Sequence, residues 1–154
     1  MSHHWRSVTA AVALLLFTAC GCHFQTGSYD GYAEAAEQGM RQLRSLYAEQ
    51  KFPELYAMVA PELHQNQSLD QFVTAMANTR AVLGGFKSGS LAARACLPNQ
   101  VRLIYLSQFE NGPATELVTW VIRDGRPTLL GYQFERSHLQ VPQAPDTCIR
   151  KRPV

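Results

Sequence analysis

The chain has 154 residues, with 14 basic and 12 acidic side chains and a formal charge of +2. That length allows one ordinary domain. The near-neutral balance lacks the clustered basic face that a nucleic-acid partner requires; its one basic run, Arg150, Lys151 and Arg152, reads as a solubilising tail.

Met1 to Ser7 is a short polar start whose positive charges are Arg6 and the terminal amine. Val8 to Phe17 (VTAAVALLLF) is apolar. As a helix, that run rises only about 15 Å, half of a hydrocarbon core, so it cannot serve as a stable span. Positive start, short apolar middle and small residues afterwards make a secretory signal peptide over residues 1–19. The following Thr18-Ala19-Cys20-Gly21 resembles the lipobox of bacterial lipoproteins. The resemblance implies cleavage before Cys20 and acylation of its sulfur. Each buried methylene contributes about 0.8 kcal/mol, so two or more chains anchor stably. Gly21 is not the aspartate linked with inner-membrane retention. The resemblance therefore implies a periplasm-facing position on the outer membrane, with the membrane itself as a partner. Without Arg6, the mature chain carries 13 basic and 12 acidic side chains.

Residues 20–28 read as a lipidated tether. Gly21 to Ser28 (GCHFQTGS) lacks periodicity and extends to no more than about 28 Å. A domain over 29–137 and a tail over 138–154 follow. From Asp30 as cap, Tyr32, Ala36, Met40, Leu43, Leu46 and Tyr47 recur at steps of three and four, which predicts a helix of about five turns. Pro53 is placed to open a short helix (PELYAMV), and Pro61 interrupts again. Ser68-Leu69-Asp70-Gln71 has the form of a capping box. The helix after it carries Leu69, Phe72, Val73, Met76, Val82 and Leu83 on one side, and Gly84-Gly85 end it.

The period then changes. Phe86 to Ala95 is a weak strand. Val101 to Phe109 is apolar on both parities, as a strand buried largely on two sides would be. Asn111-Gly112-Pro113 is a turn, Glu116 to Ile122 a strand, Asp124-Gly125 a hairpin turn and Leu129 to Phe134 a last strand. Helices followed by an antiparallel meander make the fold class α+β. In an oxidising compartment, Cys96 and Cys148 are the candidate disulfide. Closing that loop contributes about 4 kcal/mol on the entropic model. No zinc or other metal site and no cofactor is expected, since neither CxxC nor His-x-x-x-His occurs.

Arg80-Ala-Val-Leu83-Gly84, Thr115 to Gly125 (TELVTWVIRDG) and Leu129 to Phe134 are similar to small lipid-anchored or secreted members of the nuclear transport factor 2-like, or cystatin-like, superfamily, several of them domains of unknown function. The Ala48 to Tyr56 run also fits. The resemblance implies helices laid across a curved antiparallel sheet, forming a cone with one open mouth. Tyr105, Trp120, Tyr132 and Phe134 would face its interior. As pocket residues the candidates are Tyr105, Trp120 and Tyr132, with a filled core as the plainer reading.

Enzymes of the superfamily place Asp and His in the cone; His64, Asp70, Glu116 and His138 are the residues to weigh. His64 falls in a polar connection, and Asp70 in a first helical turn, where the helix dipole explains a carboxylate. Glu116 and Arg123 fit the outward ends of a hairpin, and His138 lies past the last strand. No phosphate loop or nucleophile elbow occurs. The expected function is therefore a non-catalytic envelope lipoprotein whose domain binds another envelope protein or a small ligand. The alternatives are a pocket or enzyme of the polyketide-cyclase-like kind, and a homodimer through the open sheet face.

Overall fold

The computed structural model describes residues 29, 31–141 and 146–148. The signal peptide, Cys20, the tether and Asp30 lie outside the described residues.

Four helices precede four strands: α1 (Tyr32–Ala48), α2 (Phe52–Tyr56), α3 (Pro61–His64), α4 (Leu69–Leu83), β1 (Phe86–Leu97), β2 (Gln100–Phe109), β3 (Gly112–Arg123) and β4 (Arg126–Glu135). Helix α1 buries Ala36, Met40, Leu43 and Tyr47 on its apolar stripe, while Tyr32 and Leu46 stay half-buried. Gly31, with φ 86°, takes the N-cap position that the sequence reading gave to Asp30. Pro53 sits in the first turn of α2 and Pro61 opens α3, where a missing N–H costs no helical bond.

The capping box forms at the head of α4. The Gln71 N–H donates to Ser68 Oγ at 3.3 Å, and the Ser68 N–H donates to Gln71 Oε1 at 2.9 Å. Helix α4 buries Phe72, Met76 and Leu83. Leu69 and Val82, expected on the same side, are 42 % and 39 % exposed. Leu69 begins the helix ahead of the packed stripe, and Val82 lies a step of helical rotation away from Leu83. Gly84 ends α4 with φ 78°, as glycine readily does.

The strands form one open antiparallel sheet in the order β1-β2-β3-β4. The fold is thus α+β, with helices on a four-stranded sheet. The last hairpin turns on Asp124 (φ 51°) and Gly125 (φ 72°), positive at both positions as a type I′ turn needs. The turn before β3 is Glu110-Asn111, while Gly112 and Pro113 already pair with Phe109 and Gln108. Hydrogen bonds pull that turn toward the end of α4. The Asn111 N–H donates to Leu83 O at 3.0 Å, and the Gly85 N–H to the Glu110 carboxylate at 2.6 Å.

Helix α1 contacts all four strands, so the face it covers is the inner face. Cross-strand partners share a face. Val101 opposite Trp120, Leu103 opposite Val118 and Tyr105 opposite Glu116 therefore all point inward. Val101, Leu103, Val118 and Trp120 are fully buried. Ile104 and Leu106, on the other parity of β2, are only half-buried, so the strand is sealed on one face and not on two. Trp120 reaches α1 at Gly39, where a Cβ would stand 2.9 Å from its Cζ3; the glycine lets helix and strand approach.

Candidate functional site

Alternation along β3 puts Ala114, Glu116, Val118, Trp120 and Ile122 on the inner face. Glu116 is therefore not an outward hairpin end: it is 1 % exposed, beneath α1. Arg123, at the strand's end, is exposed. An isolated buried carboxylate would cost several kcal/mol or take up a proton. What offsets this cost is Arg44, one helical turn past Met40 on α1.

The Glu116 carboxylate accepts hydrogen bonds from Arg44 Nη2 at 3.1 Å, from Tyr132 Oη at 2.7 Å and from Ser107 Oγ. Arg44 Nη2 also donates to Ser107 Oγ at 3.2 Å. Ser107 is completely buried, and the Arg44 side chain is 18 % exposed. Two rings flank the guanidinium, Phe86 of β1 with its centroid at 3.9 Å and Tyr105 of β2 at 4.6 Å. Such contacts favour a cation and leave its in-plane N–H groups for acceptors. Gly89 makes room for the cluster. A Cβ there would lie 2.6 Å from Ser107 Oγ and 3.2 Å from Arg44 Nη2.

The electrostatics follow from this geometry. Burial, and then the neighbouring Glu116 charge, push the Tyr132 hydroxyl well above its usual value of 10.0. Tyr132 is therefore a hydrogen-bond donor across the whole neutral range. Burial also raises Tyr105, against the opposing pull of Arg44. Tyr47, next along the α1 stripe, is pushed up to about 12, mainly by burial, and donates to Gly84 O at 3.0 Å. Chemically, the site holds a neutral phenol, a hydroxyl and a guanidinium on one carboxylate. The Glu116 oxygens are already engaged by donors of their own chain, which leaves a poor general base.

The structure brings Tyr105 and Tyr132 into this cluster. Trp120 shares their face but sits four residues from Glu116, about 13 Å along β3. It is 0 % exposed, and its Nε1 has no partner among the described residues. His64 stacks on Tyr56 with centroids 4.4 Å apart, and its Nε2 lies 3.1 Å from the Tyr56 carbonyl, not on a group of the cluster. Asp70 is exposed in the first turn of α4. His138 Nε2 lies 2.9 Å from the Ser107 carbonyl and does not meet its hydroxyl.

The sulfurs of Cys96 and Cys148 are bonded, with their Cα atoms 4.8 Å apart. Beside them, Arg94 pairs with Glu37 of α1 at 3.0 Å and with Asp146. Thr147 Oγ1 accepts from the Cys96 N–H at 2.9 Å and donates to the Cys96 carbonyl at 3.2 Å. Residues 146–148 thus close the free edge of β1 at this point.

Arg44 and Ser107 were missed in the sequence, yet a signal was there. Arg44 falls on the step of four after Ala36 and Met40, inside an apolar stripe. Glu116 has the same parity as Trp120. Two opposite charges on two faces that must both be buried call for each other.

Among the described residues, no group of three or more His, Cys, Asp or Glu is placed to hold a metal, and no helix is long and apolar enough to cross a membrane. Compared with known proteins, the chain matches no family model and no curated protein.

Proposed function

We propose that the chain is a bacterial envelope lipoprotein, held at the membrane through acyl chains on Cys20 and carrying a non-catalytic binding domain. In this reading residues 1–19 are removed and residues 20–28 tether the domain to the periplasm-facing side of the outer membrane. The apolar run VTAAVALLLF and the Ala19-Cys20-Gly21 lead-in support the anchor. Helix α1 lying across an antiparallel meander supports a nuclear transport factor 2-like or cystatin-like domain.

One observation carries the non-catalytic part: the inner-face carboxylate, Glu116, accepts from Arg44, Ser107 and Tyr132 at once. The test is the intact mass of the protein extracted from cell membranes. The expected product begins at Cys20 and carries acyl chains. A water-soluble product beginning elsewhere, with an unmodified Cys20, overturns the reading.

A second reading, a small-molecule pocket or polyketide-cyclase-like enzyme, draws on the same polar groups converging beside Phe86 and Tyr105. A polycyclic ketone that stabilised the wild type against heat, but not Glu116→Gln, would favour it.

A further inference from the structure

Strand β4 is an edge strand, and its free side changes character along its length. At Leu129 that side is paired in parallel with Val59. The Leu129 N–H donates to Met58 O at 2.7 Å, and the Ala60 N–H donates to Leu129 O at 2.8 Å. Pro61 then starts α3 and carries the chain away. From Gly131 to Glu135 the free side makes no backbone hydrogen bond among the described residues. This contrasts with β1, whose edge is met at Cys96 by Thr147 and the disulfide.

A groove of about 330 Å³ runs beside this free stretch. One wall is Leu129 to Phe134, six consecutive residues. Odd and even positions both line it, so the groove follows the strand's edge and does not lie over one face. The other wall is Phe72, Ala75, Met76 and Thr79 of α4. No lining residue is charged. Exposed edges are ordinarily guarded by charges, proline or a cover; here the one charge is Glu135 at the far end, and Gly131 to Phe134 carries none of the three among the described residues.

We infer that the groove between β4 and α4 takes up an extended peptide of a partner protein, added as a fifth strand along Gly131–Glu135 with alternate apolar side chains against α4. This rests on the binding-domain reading above and names the partner's chemistry. Unmade backbone bonds along an edge are satisfied by the backbone of another extended chain, and the apolar wall selects its side chains. Val59 already occupies one position of such a strand. The β4 edge of a second copy would bring its own α4 against the α4 wall of the groove, whereas a single extended chain brings only its own strand.

The test uses the full chain in detergent micelles with its disulfide intact. Short linear peptides are selected by phage display, synthesised with a fluorophore and titrated by anisotropy. Selected sequences should carry apolar residues at every second position. Methylating the peptide's backbone nitrogens one at a time should weaken binding about tenfold at alternate amides and little at those between. Ala75→Arg should lose at least about tenfold in affinity; Ala75 is exposed, so an unchanged thermal melt shows that the fold is kept.

Four results overturn the inference. They are no selected peptide, an equal effect of methylation at every amide, equal binding by Ala75→Arg, and a concentration-dependent dimer that Ala75→Arg abolishes. An unmodified Cys20 would sink the lipoprotein reading and leave these titrations untouched, so the two fail separately.

Discussion

Replacing Arg44 with methionine strips the buried Glu116 carboxylate of its only cationic partner among the described residues while keeping most of the side-chain volume. Glu116 is 1 % exposed, so solvent cannot substitute for the guanidinium. Tyr132 and Ser107 continue to donate, but two neutral hydroxyls do not balance a full charge in a dry site. Breaking a buried pair from one side costs about 3–5 kcal/mol. Arg44 itself is 18 % exposed, which places the expected loss at the lower end, about 3 kcal/mol.

The double variant Arg44→Met, Glu116→Met removes the uncompensated charge and should recover most of that loss, since apolar replacement of a buried pair is often neutral or stabilising. Urea unfolding at pH 7, followed by circular dichroism, of the wild type, Arg44→Met, Glu116→Met and the double variant gives the four free energies of the cycle and hence a coupling of about 2–3 kcal/mol. An Arg44→Met loss under about 1 kcal/mol, or a double variant no better than the single, would refute the claim that Glu116 is held in a dry site.

Reducing the Cys96–Cys148 bond opens a loop of sequence separation 52 and should lower the unfolding free energy by about 4 kcal/mol, read as the difference between urea midpoints with and without a reductant; an unchanged midpoint contradicts it. Gly39→Ala places a Cβ 2.9 Å from Trp120 Cζ3 and 3.1 Å from Pro127 Cβ. Overpacking of about 1–3 kcal/mol should outweigh the helix-propensity gain of about 1 kcal/mol, so a higher melting temperature would count against the close approach. Tyr132 stands well above its usual 10.0, and Tyr47 is pushed up to about 12. The unfolded chain therefore gives up these protons first, and stability, full below about pH 10, should fall as the pH rises toward 12. Tyr132→Phe should flatten that fall in urea midpoints taken across the alkaline range, and a wild-type midpoint constant over it would sink the argument.

Local rules made much of the fold legible. The Ser68–Gln71 box, the Gly84 stop and the Asp124-Gly125 turn each depend on a few neighbouring residues, and each stands where the pattern puts it. So does the helices-then-meander order, because the hydrophobic period changes once, after Gly85. Leu69, Val82 and the turn at Glu110-Asn111 depart from the pattern. The departures lie at element ends, where contacts with other elements decide: Leu83 and Gly85 hold the turn, and neither is its sequence neighbour.

The candidate site was legible only in pieces. Parity alone put Glu116 on the Trp120 face, yet a charge near a strand end reads as solvated until something is known to cover it. The sequence by itself determined the order of the elements, apart from the four-residue α3 in a stretch that reads as a polar connection, and which residues of each are oily. Only the tertiary structure decided that α1 lies over β3, so that Arg44 meets Glu116 across 72 residues of chain. It also decided that β4, past Leu129, has an edge beside α4 that no described residue pairs with. Helix and strand periods are set within a few residues, whereas the burial of a charge and the pairing of an edge depend on what the rest of the chain lays against them.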